Sequence, residues 1–424
     1  MIPILVEGKS IAEVWENALI ALYHTHHVIK TEYDYNPLTD EKDLPSIDCP
    51  MIMYVEDPNR EPRLHCCLEG GPAELAEYTL EVVHGIKNHW VKTHPDGKEW
   101  SYTYNGRLTN YGSNMNFASI IKDGPIDENN PWTELSYVRK IDGELHYEVI
   151  PPMNQIQHII DTLVEAPHSR RAVASTTFPP ADLLEDSPPC LRTITCRGFY
   201  KNNCLKINMN VHFRSRDAFG AALFNMIALV ELQKYITHQI QEKLNQKYTD
   251  GTLDIKTCPK CGGELMKYLR GYEGKPYIEE YPSGICCAKC YLAPYDVKVG
   301  SYTDFSDSFH LYGRKLNEFE DRFINSAIKQ PKERRFWDIS TPDMQELWKE
   351  GEEKAYKMVA ELDKKNNKTN FPRHNQDMSY KERMWDLSAM EDIKREGREK
   401  AYAMIRSLDE KNDKVDFPLY NNDI

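Results

Sequence analysis

Cys190 follows Pro188 and Pro189 on what must be a rigid turn, and the segment after it supplies Arg192, then Arg214, Ser215 and Asp217, then Asn225. A thiol becomes a useful nucleophile as its thiolate, and neighbouring cations favour that form, so Arg192 and Arg214 are the side chains expected to supply the field. A nucleophile beside an anion site predicts a phosphorylated substrate. Taken alone, Cys190 would more often be a buried, inert thiol, since free cysteine is among the most buried residue types. The residues around it reverse that expectation.

Those residues need elements to hold them together. Positions 205 to 213 alternate between apolar and polar residues, which predicts a half-buried strand. The run from Ala218 to Tyr235 is apolar enough to predict a buried helix. With Arg214 and Ser215 at the end of the strand and Asn225 on the helix, all three would face one pocket. Nearer the N-terminus, apolar residues recur at helical spacing from Ile11 to Leu22, followed by short strand-like and loop segments rich in Pro, Asn and Asp up to about residue 165.

The pattern resembles the thymidylate synthase and pyrimidine hydroxymethylase superfamily, in which a Pro-Cys nucleophile precedes an Arg-Ser-x-Asp motif and a Phe-Asn pair. Here these are Pro189 and Cys190, Arg214 to Asp217, and Phe224 and Asn225. Further matches are the Pro-His-Ser-Arg-Arg run ending at Arg171, the Tyr-Asn-Gly-Arg run from Tyr104 with Trp90 upstream, and the Phe-His-Leu-Tyr run ending at Tyr312. The N-terminal part and Leu191 are more similar to the methanogen-type and phage-type branches than to the common bacterial enzyme. The resemblance implies an α/β (α+β) fold of the thymidylate synthase type and a homodimer whose phosphate site is shared between subunits.

It also implies roles. Uracil C5 is a poor nucleophile, so an enzyme of this family first adds a thiolate at C6, a step that falls to Cys190. Arg214 and Ser215 match the phosphate ligands, and Arg170 and Arg171 match the pair that reaches the same phosphate from the second subunit, where guanidinium forks suit phosphate oxygens. Asn225 matches the base reader, because an amide can donate to the ring carbonyl and accept from the ring N3 hydrogen, as uracil requires. That choice points to dUMP. His310 and Tyr312 match the groups that bind the sugar 3′-hydroxyl, Asp217 a folate-contacting carboxylate, Tyr104 an active-site tyrosine and Trp90 an aromatic wall by the folate. Glu81 is the expected proton-handling carboxylate, with Glu77 one helical turn earlier as a near-equal rival.

The chain departs from the family in ways that bear on the product. Leu191 stands where a His usually follows the nucleophile, and Phe213 replaces the usual Gln. The N-terminal phosphate-binding Arg loop is not recognisable, and Arg63 is the available substitute. Soon after Tyr312 the chain runs into charged repeats instead of the segment that closes over folate. Both branches of the family attach the one-carbon unit of 5,10-methylenetetrahydrofolate to C5. Reduction to dTMP needs a closed, dry site, whereas a hydroxymethylase lets water add. The departures favour 5-hydroxymethyl-dUMP, with dTMP as the alternative and a noncatalytic zinc-ribbon interaction protein as a further one.

The rest of the chain adds two units. Cys258 and Cys261 form one CxxC pair, with Gly262 and Gly263 after it, and Cys287 and Cys290 form a second. Two such pairs supply four thiolates for a tetrahedral zinc ion, and a closed set of four protein ligands predicts a structural rather than a catalytic metal. Cys286 is a competing ligand. Beyond about residue 331 the chain repeats itself: the Phe-Trp-Asp-Ile-Ser run from Phe336 recurs as the Met-Trp-Asp-Leu-Ser run from Met384, and a Glu-Gly run from Glu350 recurs from Glu396. Each copy predicts a Trp-Asp-Ser helix start and an amphipathic helix that packs on the core or on a partner subunit.

The expected domains are residues 1–245 with 300–330 as the catalytic unit, 246–299 as a zinc-ribbon insertion and 331–424 as the duplicated helical unit. A net charge of −13 disfavours nucleic-acid binding. No apolar run approaches the roughly eighteen residues of a membrane span, and no signal peptide is evident. Eleven cysteines, an odd number, fit a reducing cytoplasm, that of the host if the chain is encoded by a bacteriophage.

Overall fold

The structure, a computed structural model, describes residues 2–30, 44–91, 102–111, 153–178, 187–201, 204–249 and 296–365, with short stretches at 35–36, 41–42, 137–141, 144–148, 182, 258, 263–268, 284–287 and 289. In chain order the elements that matter are β1 (Ile4–Gly8), α1 (Ile11–Thr25), β2 (Ser46–Val55), β3 (Leu64–His65), α2 (Gly71–His84), α3 (Tyr104–Thr109) and α4 (Gln155–Glu165). They continue with β4 (Val173–Ser175), β5 (Leu191–Lys201), β6 (Cys204–Phe213), β7 (Arg216–Asp217), α5 (Ala222–Thr249), β8 (Leu265–Tyr268) and β9 (Gly284–Cys287). Last come β10 (Val297–Leu311), β11 (Phe336–Trp337) and α6 (Pro342–Lys365).

The alternation expected over 205 to 213 is strand β6, and it buries Leu205, Ile207, Met209, Val211 and Phe213 on one face. That strand lies inside a mixed sheet of order β1-β2-β10-β6-β5-β4. The pairs β1/β2 and β10/β6 are parallel, whereas β2/β10, β6/β5 and β5/β4 are antiparallel. Helices α1 and α5 cover the apolar face, with Trp15, Leu19, Met226, Val230 and Ile236 fully buried against it. The other face, with Ile52, Tyr54, His212 and Phe305, is half-exposed.

Helix α5 starts four residues later than its apolar pattern suggests and runs past residue 245 to Thr249. Its late start has a local cause. The Asp217 carboxylate accepts from the backbone N–H groups of Phe219 at 3.2 Å and Gly220 at 2.8 Å, a turn that competes with helix. The same turn sends β7 alongside β10, with Arg216 opposite Phe309 and Asp217 opposite His310. Two motifs far apart in sequence meet through that register.

The first C-terminal repeat packs on the core. Its Trp-Asp-Ser run is not a helix start: Phe336 and Trp337 form β11, paired antiparallel with His65 and Leu64 of β3, and α6 begins only at Pro342. Strand pairing wins because Arg335 anchors the segment, its guanidinium meeting Glu16 of α1 through Nη2 at 2.9 Å and Nε at 2.6 Å. Helix α6 then lies on α2, with Ala355 fully buried and Tyr356 and Val359 packed around Leu80 and Ile86. At Gly351 an added Cβ would sit 2.4 Å from the Ala73 carbonyl oxygen, so the helices approach to backbone contact there. Gly351→Leu is expected to cost about 1–3 kcal/mol by overpacking, read as a lower denaturant midpoint. The second copy carries Gly397, Ala401, Tyr402 and Ile405 at the corresponding positions; it lies outside the described residues.

Within 246–299, the backbone N–H of Cys258 donates to the Gly263 carbonyl at 2.7 Å, and β8 pairs antiparallel with β9 so that Leu265 lies opposite Cys287. Cys261 and Cys290 lie outside the described residues. Among the described residues no helix is long and apolar enough to cross a membrane.

Candidate active site

A cavity of about 420 Å³ opens where the ends of β5, β7 and β10 meet α2 and the start of α5, a size suited to a small-molecule ligand. Its wall gathers Cys190, Ser215, Asp217, Asn225, His310, Tyr312 and Tyr104, residues spread over most of the chain. Each position has a local reason. Cys190 ends the Pro-Pro turn immediately before β5, whose first residue, Leu191, is fully buried. Asn225 sits in the first turn of α5, and Tyr104 opens α3, where the Thr103 hydroxyl caps the helix by accepting from the Gly106 N–H at 3.0 Å.

Hydrogen bonds fix several of these groups. The Leu191 N–H points to the Tyr104 hydroxyl at 3.4 Å. Ser308 donates to Asp48 at 2.6 Å and lies 3.2 Å from His310 Nδ1, while the His310 ring meets Tyr312 edge-on at 4.5 Å. Arg214 grips the cysteine turn: its N–H donates to the Cys190 carbonyl at 2.9 Å, and its guanidinium donates to the Pro188 and Pro189 carbonyls at 2.7 and 3.3 Å. Arg192, the other cation expected beside Cys190, donates instead to the Thr177 hydroxyl at 3.1 Å.

Other expected residues lie elsewhere. Arg170 and Arg171 are exposed and outside the cavity wall. Trp90 is buried, with the Lys87 ammonium 5.9 Å from its ring centroid. Glu77 and Glu81 share one face of α2 and both bind Lys87, at 2.8 and 3.0 Å. Arg63 is committed to buried ion pairs with Glu61 at 2.7 Å and Glu231 at 2.8 Å, which excludes it as a substitute phosphate ligand.

Among the lining residues that were not anticipated are two with large polar side chains, Tyr78 and Arg216. Tyr78 lies one step round the helix from Glu77, on the stripe shared with buried Leu75 and Val82. A tyrosine on an otherwise apolar stripe is the sequence signal for it. Its hydroxyl accepts from Asn225 Nδ2 at 2.6 Å. Arg216 is nearly fully buried beneath the cavity, pairs with Asp304, donates to the Ala222 carbonyl at 2.8 Å and stacks 4.1 Å from the Phe213 ring centroid. Burial pushes the phenols of Tyr78 and Tyr104 well above the ordinary tyrosine range and that of Tyr102 up to about 12, so all three stay protonated at neutral pH.

His65, Cys66 and Cys67 offer ligand atoms within 4.8 Å of one another, but they do not suit a metal. The Cys67 backbone N–H donates to His65 Nδ1 at 3.1 Å, so that nitrogen's lone pair is used and the other nitrogen carries the hydrogen, facing Glu16 at 3.2 Å. Burial pushes the Cys67 thiol up to about 12.

Comparison with known proteins agrees with this geometry. Residues 131–251, which include Cys190, Arg214 to Asp217 and Asn225, match the family described as Thymidylate synthase. A protein of Methanosarcina mazei named "Putative thymidylate synthase" is 22% identical over 236 residues, covering 56% of this chain and 81% of that protein. A protein of the same name from Methanocaldococcus jannaschii is 24% identical over 240 residues, covering 55% and 82%. Thermostable thymidylate synthase A from Bacillus subtilis aligns in structure with a TM-score of 0.41 at 12% identity, over 74% of this chain and 84% of that one. The family match on the segment that carries the cysteine turn and the Arg-Ser-x-Asp run, together with the methanogen relatives, bears out the resemblance to a divergent branch of the thymidylate synthase superfamily.

Proposed function

We propose that this chain transfers a one-carbon unit to C5 of dUMP through a covalent Cys190–C6 adduct, with 5-hydroxymethyl-dUMP as the favoured product. The observation that carries the reading is the convergence of Cys190, Ser215, Asp217, Asn225, His310 and Tyr312 on one cavity wall. In this reading Cys190 attacks C6, Ser215 and Arg214 hold the phosphate, Asn225 reads the uracil edge, and His310 and Tyr312 bind the sugar hydroxyl. Asp217, fixed by the Phe219 and Gly220 N–H groups, faces the folate. 5,10-Methylenetetrahydrofolate supplies the one-carbon unit when bound.

Two observations favour water over hydride in the last step. Leu191 is buried in β5, so the position after the nucleophile offers no imidazole to the cavity. Among the described residues, none after Tyr312 lines the cavity, and the strap of β11 and α6 runs onto β3 and α2 instead. In this reading the described residues leave a way for the water that would add to the exocyclic carbon.

The half-exposed sheet face with Ile52, Tyr54 and Phe305 suits a second copy of the chain. In such a dimer exposed Arg170 and Arg171 would reach the partner's phosphate. Cys258, Cys261, Cys287 and Cys290 would hold a structural zinc, a reading supported by the turn at Cys258 and the pairing of β8 with β9.

Mass spectrometry of the nucleotide formed from dUMP and methylenetetrahydrofolate tests the activity. A product heavier by a hydroxymethyl group, without dihydrofolate, is expected. dTMP with stoichiometric dihydrofolate would make the chain a reductive synthase, and an unchanged nucleotide would overturn the proposal. Asn225→Asp is expected to shift the dUMP to dCMP ratio of kcat/KM about 100-fold toward dCMP, because a mismatched polar edge is costly in a buried site. Steady-state kinetics with both nucleotides check it.

A further inference from the structure

We propose that Tyr78 is a catalytic hydrogen-bond donor whose phenol O–H binds the C4 carbonyl oxygen of the pyrimidine and stabilises the charge that collects there when the Cys190 thiolate adds to C6. The inference rests on the reading of the cavity as a dUMP site. It starts from an absence on the wall: none of the three carboxylates of helix α2, Glu74, Glu77 and Glu81, lines the cavity, and Glu77 and Glu81 are both bound to Lys87. The residue of α2 that does line it is Tyr78.

The hydrogen-bond arithmetic assigns the direction of the phenol. Asn225 Nδ2 donates to the Tyr78 oxygen at 2.6 Å. A hydroxyl that accepts the amide hydrogen directs its own hydrogen elsewhere, and the cavity lies beside it. Asn225 keeps its second Nδ2 hydrogen and its Oδ1 for the base. Two donors, Tyr78 Oη–H and Asn225 Nδ2–H, therefore converge where the oxygen at position 4 would lie, with Oδ1 left for the N3 hydrogen. The phenol is held rigidly, its ring packed edge-on against Phe224 at 5.8 Å. Arg216, buried beneath the cavity and paired with Asp304, adds positive charge near Tyr78 and Tyr104.

The chemistry balances without a further reactant. The thiolate lone pair forms the S–C6 bond, the C5–C6 π pair moves toward C4, and the C4 oxygen takes the negative charge. Tyr78 shortens its hydrogen bond to that oxygen and keeps its proton, and elimination of the thiolate reverses each change. A donor suits this task better than a base. Burial, with Glu81 nearby, keeps the phenol protonated across neutral pH, which agrees with a donor role.

The test uses the full chain and the exchange of the C5 hydrogen of dUMP with solvent deuterium, which requires addition at C6. Tyr78→Phe keeps the ring against Phe224 and removes only the hydroxyl. Exchange is expected to slow about 100-fold, the effect of losing one donor to a developing oxyanion, while the Kd for dUMP by calorimetry stays within about three-fold. Exchange within three-fold of wild type would overturn the proposal. Wild-type protein that binds dUMP but exchanges no hydrogen overturns both this role and the adduct it serves; failure of Tyr78 alone leaves the wild-type exchange intact.

Discussion

Cys190→Ser is expected to lower turnover of dUMP by about 10⁴-fold or more, in the range seen when a catalytic nucleophile is removed, while dUMP affinity changes by no more than about three-fold. The asymmetry follows from how the residue is held. Arg214 fixes the turn through the carbonyls of Pro188, Pro189 and Cys190, none of which involves the sulfur. The substitution therefore leaves the backbone and the groups proposed to bind the nucleotide in place. A serine hydroxyl is a far weaker acid than a thiol, so the attacking anion is lost even though the shape is kept. Single-turnover kinetics beside calorimetry check both halves. Equal loss of binding and turnover would show instead that the side chain organises the site.

The largest expected effect on stability comes from Asp304→Ala. Asp304 and Arg216 are almost wholly buried and paired with each other. The carboxylate is also bound by the Tyr302 hydroxyl at 2.9 Å and the Ser306 hydroxyl at 3.3 Å. Removing it strands a buried guanidinium, which costs about 3–5 kcal/mol. Replacing both partners, as in Asp304→Ala with Arg216→Met, is expected to recover much of that loss, because no charge is then left uncompensated. Denaturant unfolding of the single and double variants gives the comparison. A single variant that loses less than about 1 kcal/mol would mean that water reaches the guanidinium from the cavity above it.

Both predictions concern residues of the Arg-Ser-x-Asp run and its surroundings, and they differ in how legible they were. Cys190, Ser215, Asp217 and Asn225 were legible through the resemblance of their motifs to a known superfamily, and the strand and helix that carry them through alternation and apolar patterning, which are local properties of the chain. Arg216 was only the unnamed third position of the motif. Its meaning depends on Asp304, 88 residues away, which β10 brings alongside the strand end. The α2 carboxylates show the opposite case. Glu81 was the expected proton-handling group with Glu77 as its rival, and the two share a helix face, so both follow Lys87 together. Tyr78 lies about 100° round the helix from Glu77, and only the packing of α2 against α5 decides that its face meets the cavity.

The C-terminal repeat divides in the same way. Its duplication and its amphipathic helix could be read directly, while the conversion of the Trp-Asp-Ser run into strand β11 could not, because the edge of β3 and the carboxylate of Glu16 that capture it lie some 270 and 319 residues away. By itself, then, the sequence determined the kinds of chemical group available and the periodic elements that carry them, since those depend on side-chain type and near neighbours. The tertiary structure alone decided which face of each element meets the cavity and which distant charge each buried group meets. Those outcomes depend on strand register and helix packing, which no local stretch of the chain specifies.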